Sequence, residues 1–160
     1  MLPSGIELKD WARLAAFIDG EGCINVHRQL RFRGQRREHT AHRLSIRVVN
    51  TDIRLMAWLK KTFGGNVVRE NSKNQGKRFS SFHWEASLPS IEEILTNCLD
   101  LLILKRQQAE IGLAFRATFR KKNYEKVEPG VMNFREECRG KLKYFNSGEG
   151  KLANRVENVA

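Results

Sequence analysis

The order of the hydrophobic patterns along the chain constrains the fold more than any other feature of the sequence. A segment from about Leu8 to Asp19 has apolar or small residues on most of a helical circumference, and Gly20 and Gly22 end it. Residues 23–33 and 42–49 then alternate between apolar and polar side chains, which is typical of half-buried strands. This first third of the chain predicts a helix followed directly by two strands.

A second helix and a second pair of strands follow. "NTDIRLMAWLKKTFGG" predicts a helix that begins at Thr51 or Asp52 as its N-cap and ends at glycines. "NVVREN" and "SSFHWEAS" predict strands around a polar loop, and "SIEEILTNCLDLL" and "KRQQAEIGLAFRATF" predict two further helices. The helical pattern weakens beyond Lys121. The order predicts one α+β domain over residues 1–145, with a single antiparallel sheet and additional C-terminal helices, and a polar tail over residues 146–160.

The charge of the chain narrows the possible partners. The 160 residues carry a net charge of +11, and the segment from Arg28 to Arg47 holds seven arginines against one acid. A nucleic acid, an anionic membrane or a merely solvated face would each account for this excess. No apolar run approaches the ~18 residues of a membrane span. Three widely spaced cysteines indicate a reducing compartment and no zinc site.

The polar faces of the predicted strands carry residue types that suit base recognition. Arginine can bond the O6 and N7 atoms of guanine, Asn and Gln can pair with adenine, and Glu85 could accept from cytosine N4. An ordinary solvent-facing sheet remains the alternative. The outward positions that we expect to contact DNA are Asn25, His27, Gln29, Arg31, Arg33, Arg43, Ser45, Arg47, Arg69, Asn71, Ser81, His83 and Glu85.

The first helix has two unusual features. Ala12, Ala16 and Gly20 recur every four residues and form a smooth stripe, which would let another backbone approach closely. Packing within its own domain would explain the stripe equally well. Asp19 and Glu21 lie at the negative end of the helix macrodipole, where carboxylates are disfavoured.

The segment "LAAFIDGEG", residues 14–22, resembles the signature motif of the LAGLIDADG homing endonucleases. The order of elements is similar to the αββαββα core of that family. "VVNTDIRLMAWLKKTFGGNV" resembles the family's second-helix block, and "LLILKRQQAEI" its later lysine block. The resemblance covers roughly Trp11 to Phe119. A single copy of the motif implies a homodimer, because monomeric members carry two.

The resemblance implies roles for particular residues. Glu21 would be the metal-binding acid, where the family usually has Asp, and the carbonyl of Gly20 would add a ligand. Asn50 stands where the family orients the attacking water, and Lys105 matches its active-site lysine; Arg54 would be a further basic residue. Mg²⁺ would be the cofactor, with Mn²⁺ a substitute. The dimer interface would contain Ala12, Ala16, Asp19 and Gly20, with Asp19 serving packing and capping.

The expected function is that of a homodimeric DNA endonuclease that cuts both strands of a long, nearly palindromic double-stranded site. A maturase or a non-catalytic nucleic-acid-binding protein with the same fold is the alternative. For Asn50 and Lys105 the alternatives are a turn residue at a helix N-terminus and a helix lysine that extends to solvent. We expect no membrane association, no small-molecule substrate and an intracellular location, either the cytoplasm or nucleoid or an organelle.

Overall fold

The computed structural model describes residues 5–33, 36–70, 81–119 and 128–150. Its helices and strands follow the predicted αββαββα order, with two further helices toward the C-terminus. The elements are α1 (Leu8–Glu21), β1 (Gly22–Arg33), β2 (Arg36–Asn50), α2 (Ile53–Phe63), β3 (Asn66–Glu70), β4 (Ser81–Glu85), α3 (Ile91–Cys98), α4 (Arg106–Ala117) and α5 (Pro129–Asn146). Single 3₁₀ turns precede and follow α3, at Leu88–Ser90 and Leu99–Leu101.

The four strands form one sheet in the order β1-β2-β4-β3. β4 pairs antiparallel with β2 on one side and with β3 on the other, so that Glu85 lies opposite Arg47 and also opposite Asn66. Directly opposed residues of antiparallel strands project from the same face. Val48 and Trp84, which are opposed and fully buried, therefore mark the core face, and Arg47 and Glu85 mark the outward face.

The chain packs into two compact units. The first contains α1 and the chain from Ile46 to Arg106. In it α1 buries Leu14, Ala15 and Ile18, and α2 buries Met56, Leu59 and Phe63. The ring of Phe63 lies 5.2 Å from that of Trp11 and 6.4 Å from that of Trp84. Full burial of such side chains contributes ~1.5–3 kcal/mol each before the loss of conformational entropy is counted, so this cluster anchors α1 and α2 in the unit.

The second unit contains Ile24–Ser45 and the chain from Gln107 onward. The guanidinium of Arg135 on α5 lies 3.8 Å above the ring of Phe119, and its Nε donates to Oγ1 of Thr118 at 2.9 Å. The side-chain amide of Asn146 donates to the carbonyl of Ile24 at 3.0 Å. The sequence pattern did not locate α5, and these contacts fix it within its unit.

The cysteines are thiols, and Cys98 and Cys138 are buried. Burial, together with the nearby carboxylate of Asp19, raises the pKa of Cys98 to about 12, so this thiol is unreactive near neutral pH. Over the described residues, every helix is too short or too polar to cross a membrane.

Candidate functional site

The end of α1 is held by reciprocal bonds between Asp19 and Lys105. The carboxylate of Asp19 accepts from the backbone N–H groups of Ile103 at 2.7 Å and of Lys105 at 2.9 Å. The Lys105 ammonium donates to the carbonyls of Ile18 at 2.8 Å and of Asp19 at 2.5 Å. The acid that a helix C-terminus disfavours is thus stabilised by backbone donors. These bonds fit the capping role predicted for Asp19, and its role at a dimer interface stays a prediction.

Lys105 lies beneath the end of α1. Lys105 is only 9% exposed, and its ammonium contacts carbonyls in the last turn of α1. The helix macrodipole favours a positive charge at this position. This position is not that of a lysine that extends to solvent. Its predicted part in phosphate chemistry stays a prediction.

Glu21 is exposed, and Asn50 holds its carboxylate. The side-chain amide of Asn50 donates to Oε2 of Glu21 at 2.5 Å, and its carbonyl oxygen accepts from the backbone N–H of Asp52 at 2.8 Å. Asn50 is therefore both the turn residue that the local pattern indicated and a side chain that fixes the orientation of Glu21. The two residues come from the end of α1 and the end of β2, and their hydrogen bond joins these two ends.

Arg54 forms hydrogen bonds to Asp52, the N-cap of α2. The Asp52 carboxylate accepts from the backbone N–H of Arg54 at 2.8 Å and from its guanidinium at 2.6 Å. Hydrogen bonds from Arg54 lower the pKa of Asp52 to about 2. Within the described residues, no hydrogen bond joins Arg54 to Glu21 or Asn50, so its predicted catalytic role has no geometric support here.

The oxygen atoms at the end of α1 are of the kind that hard divalent cations prefer. Among the described residues, no three His, Cys, Asp or Glu side chains cluster. Glu21 has an exposed carboxylate, and Gly20, the residue before it, has a backbone carbonyl oxygen. Mg²⁺ commonly takes only one or two carboxylates and completes its coordination with water and phosphate oxygens. The residues therefore suit such a cation only in combination with a substrate or a second chain.

The small-residue stripe of α1 is open to solvent. Ala12, Ala16 and Gly20 are all exposed, and a Cβ added at Gly20 would meet no atom within 4 Å. Packing within the described part of the chain therefore does not explain the stripe.

Acidic side chains pair with the polar residues on the outward face of β2, β3 and β4. Nη2 of Arg47 donates to Oε2 of Glu85 at 3.1 Å. Glu70 lies 3.1 Å from Nδ1 of His83 and accepts from the Ser81 hydroxyl at 3.4 Å. This face combines cations, anions and amides at fixed positions, which is a pattern suited to recognition.

The register corrects one predicted position on this face. Arg69 lies opposite Phe82 and shares the face of Val67, which lies opposite the buried Trp84, so the prediction that it shares the face of Glu85 is wrong. Asn66, Val68 and Glu70 occupy the outward positions of β3 instead. "NVVREN" does not alternate, so its pattern alone could not reveal which residues face outward.

In the second unit, Ser45 projects from the predicted face but is covered. Its residue is 1% exposed, and its hydroxyl lies 2.9 Å from Nε2 of His27. Ser45 therefore positions His27 and is itself shielded from solvent. Gln29 and Arg43 are exposed, and Asn25 is half-buried. The side chains of Arg31 and Arg33, and the whole of Asn71, lie outside the described part of the chain.

The sequence reasoning also missed side chains on this face. Glu70 pairs with His83, and Val49 and Val68 are exposed valines in the row that contains His83. Exposed valines next to polar side chains can contact the methyl group of thymine. The register between the strands would have identified these side chains, and the sequence pattern alone does not specify that register.

The arrangement of these elements is the fold of the homing endonucleases. The solved structure of I-CvuI in complex with its target in the presence of Ca has a TM-score of 0.66 and 22% sequence identity, with 93% of this chain and 92% of that chain covered. The archaeal intron-encoded I-Vdi141I complexed with DNA has a TM-score of 0.68 and 13% identity over 88% and 86% of the two chains. The LAGLIDADG homing endonuclease I-LtrWI bound to target DNA has a TM-score of 0.64 and 16% identity, and 93% of this chain covers 47% of that one. No sequence profile of a known family and no curated protein sequence matches the chain.

Proposed function

We propose that the chain is a homodimeric, sequence-specific DNA endonuclease that cuts both strands of a long, pseudo-palindromic site. One observation carries this proposal: the exposed carboxylate of Glu21 is held by Asn50 at the end of the same strand that presents Arg47. A group able to bind a cation is thereby tied to the end of a strand whose outward face carries a group able to bind a base.

DNA as the partner is supported by charge and by likeness. The net charge of +11 favours a polyanion, and counterion release would supply much of the affinity. I-CvuI, I-Vdi141I and I-LtrWI, which share the fold, have structures in complex with DNA. The outward side chains of the sheet would then enter the major groove.

A second copy as the partner is supported by the exposed stripe of α1. Leu8, Ile103 and Leu104 are 72%, 84% and 64% exposed, and the Asp19 carboxylate ties Ile103 to the end of α1. Burial of such residues together with the stripe would give two copies an apolar contact. This chain spans about half the length of I-LtrWI. Two copies would bring two Glu21 carboxylates to one site.

Glu21 and the carbonyl of Gly20 would hold Mg²⁺, with Mn²⁺ as a substitute. When bound, the cation would lower the pKa of a water molecule and offset the charge that develops on the leaving 3′ oxygen. Asn50 would keep the Glu21 carboxylate in one orientation and help to orient the attacking water. Lys105, beneath the same helix end, would add positive charge that attracts the phosphate.

The test begins with a randomised duplex library. The full-length protein should enrich one long site with two-fold symmetry in Ca²⁺, and the enriched duplex should be cut on both strands when Mg²⁺ or Mn²⁺ replaces Ca²⁺. Excess EDTA should stop cleavage. An enriched duplex that stays intact in Mg²⁺ and in Mn²⁺ would contradict the nuclease proposal and favour a non-catalytic binding protein.

A further inference from the structure

Arg47 and Glu85 form a cross-strand pair in which one carboxylate oxygen accepts both hydrogen bonds. They are directly opposed in the β2–β4 register. Both Nε, at 3.3 Å, and Nη2, at 3.1 Å, of Arg47 donate to the single atom Oε2 of Glu85. The carboxylate therefore contacts one edge of the guanidinium, the side that carries Nε.

Among the described residues, no hydrogen bond uses the opposite edge of the Arg47 guanidinium. A guanidinium has five N–H bonds in a fixed plane, and Nη1 together with the remaining N–H of Nη2 forms a second pair of parallel donors. Neither donor of this second edge takes part in the pair with Glu85. Two parallel donors of this kind match the O6 and N7 acceptors of guanine in the major groove.

Burial separates the roles of the two side chains. The side chain of Arg47 is 42% exposed and that of Glu85 is 18% exposed. Glu85 thus lies closer to the sheet and Arg47 farther into solvent, so a duplex on this face would meet the arginine first. A side chain that is already oriented loses less conformational entropy on binding.

We propose that Arg47 reads a guanine through its free edge and that Glu85 is the positioning residue that fixes this edge toward the base. The inference rests on the proposed function, because it needs sequence-specific binding to DNA. It replaces the expectation that Glu85 itself accepts from cytosine N4. It assigns one specificity-determining pair to each half-site.

The test compares base preferences of variants in the library selection, carried out in Ca²⁺ so that binding alone is measured. Wild-type protein should prefer guanine at one position of each half-site by about fivefold or more. Arg47→Lys, which keeps the charge but lacks the planar fork, should lose that preference and keep most of its affinity for random duplexes. Glu85→Ala should flatten the preference at the same position, while its affinity for random duplexes should stay equal or rise because a negative charge is gone.

Two further variants separate positioning from folding and from charge. Glu85→Gln keeps the size and one acceptor oxygen, so it should retain part of the guanine preference and an unchanged thermal transition. Glu93→Ala removes an equal charge from an exposed position on α3 and should leave the preference intact. In the Arg47→Ala, Glu85→Ala double variant, the loss should not exceed that of Arg47→Ala alone.

The results distinguish two kinds of failure. If wild-type protein enriches a site and Glu85→Ala leaves its base profile unchanged, or alters a position that Arg47→Lys does not, the pair does not act as proposed. If wild-type protein enriches no sequence at all, the proposed function fails, and this inference fails with it.

Discussion

Asp19 and Lys105 are joined by two reciprocal hydrogen bonds. The Asp19 side chain accepts from the Lys105 backbone, and the Lys105 side chain donates to the Asp19 backbone. The paired bonds fix the loop before α4 to the end of α1. Lys105→Met removes the ammonium and leaves the carbonyls of Ile18 and Asp19 without this donor. We expect a loss of ~1–3 kcal/mol in the free energy of unfolding, measured by urea titration.

The reciprocal bonds should also appear as coupling between the two residues. Asp19→Ala combined with Lys105→Met should cost less than the sum of the single changes, by ~0.5–3 kcal/mol. Lys61→Met, at an exposed position on α2, is the control for loss of a lysine charge. Strict additivity of Asp19→Ala and Lys105→Met would show that the two sets of bonds act independently.

Gly64 and Gly65 should respond differently to the same substitution. Both have positive φ, of 67° and 80°. A Cβ at Gly64 meets nothing within 4 Å, so Gly64→Ala should cost the backbone strain alone, about 1–3 kcal/mol, because a φ of 67° with a ψ of −145° is a conformation that glycine adopts far more readily than alanine. A Cβ at Gly65 would collide with the carbonyl oxygen of Glu85 and lie 3.0 Å from Nε1 of Trp84. Gly65→Ala should therefore unfold at distinctly lower urea than Gly64→Ala, and equal midpoints would contradict this packing.

The exposed stripe of α1 predicts the oligomeric state of a variant. If a second copy packs on the stripe, Ala16→Leu would overpack the contact in both chains, at ~1–3 kcal/mol or more per site. Sedimentation should show a folded monomer for Ala16→Leu and a dimer for wild type. Ala114→Leu, at an exposed position on α4, is the matched control and should remain dimeric. A dimer of Ala16→Leu would place the interface elsewhere.

The lowered pKa of Glu136 on α5 predicts how the stability of the fold depends on pH. Hydrogen bonds, first from Arg139 and then from His42, lower the pKa of Glu136 from the usual 4.5 to about 2. Arg28 is a further charged side chain that lines the same surface pocket as His42 and Glu136. Because the folded pKa lies below the unfolded one, the carboxylate stabilises the fold above pH 4.5, and this contribution is lost as the pH falls toward 2.

Urea titrations at pH 6 and pH 3 test this dependence. Glu136→Gln should lose less stability than wild type between the two values, since the variant has no carboxylate to protonate there. Glu93→Gln is the control for charge, because Glu93 is exposed on α3. An equal loss in wild type and Glu136→Gln would show that other groups account for the acid dependence.

The order of elements could be predicted from the sequence because each element carries its own periodicity. The strands 23–33 and 42–49 alternate clearly, and Asp52 caps α2 as one of the two expected residues. α5 escaped prediction because Arg135, Cys138 and Leu142 are its only buried residues among eighteen, so its apolar pattern is sparse. Pro129 at its first turn was the signal available.

The candidate site was predicted as a set of residues, without their partners. The motif indicated Glu21 and the second-helix block indicated Asn50, but the bond between them depends on where β2 ends relative to α1. The pairing of Arg47 with Glu85 depends on the β2–β4 register, which local patterns do not specify. The face of Arg69 was mistaken for the same reason.

The role of Glu21 is the central claim, and one variant tests it most directly. Glu21→Gln keeps the size of the side chain and removes the charge needed to hold Mg²⁺. On the duplex enriched by wild-type protein, Glu21→Gln should bind with an affinity equal to or slightly above that of wild type and should cut neither strand in Mg²⁺. Cleavage by Glu21→Gln at the wild-type rate would contradict the assignment of Glu21 as the metal-binding acid.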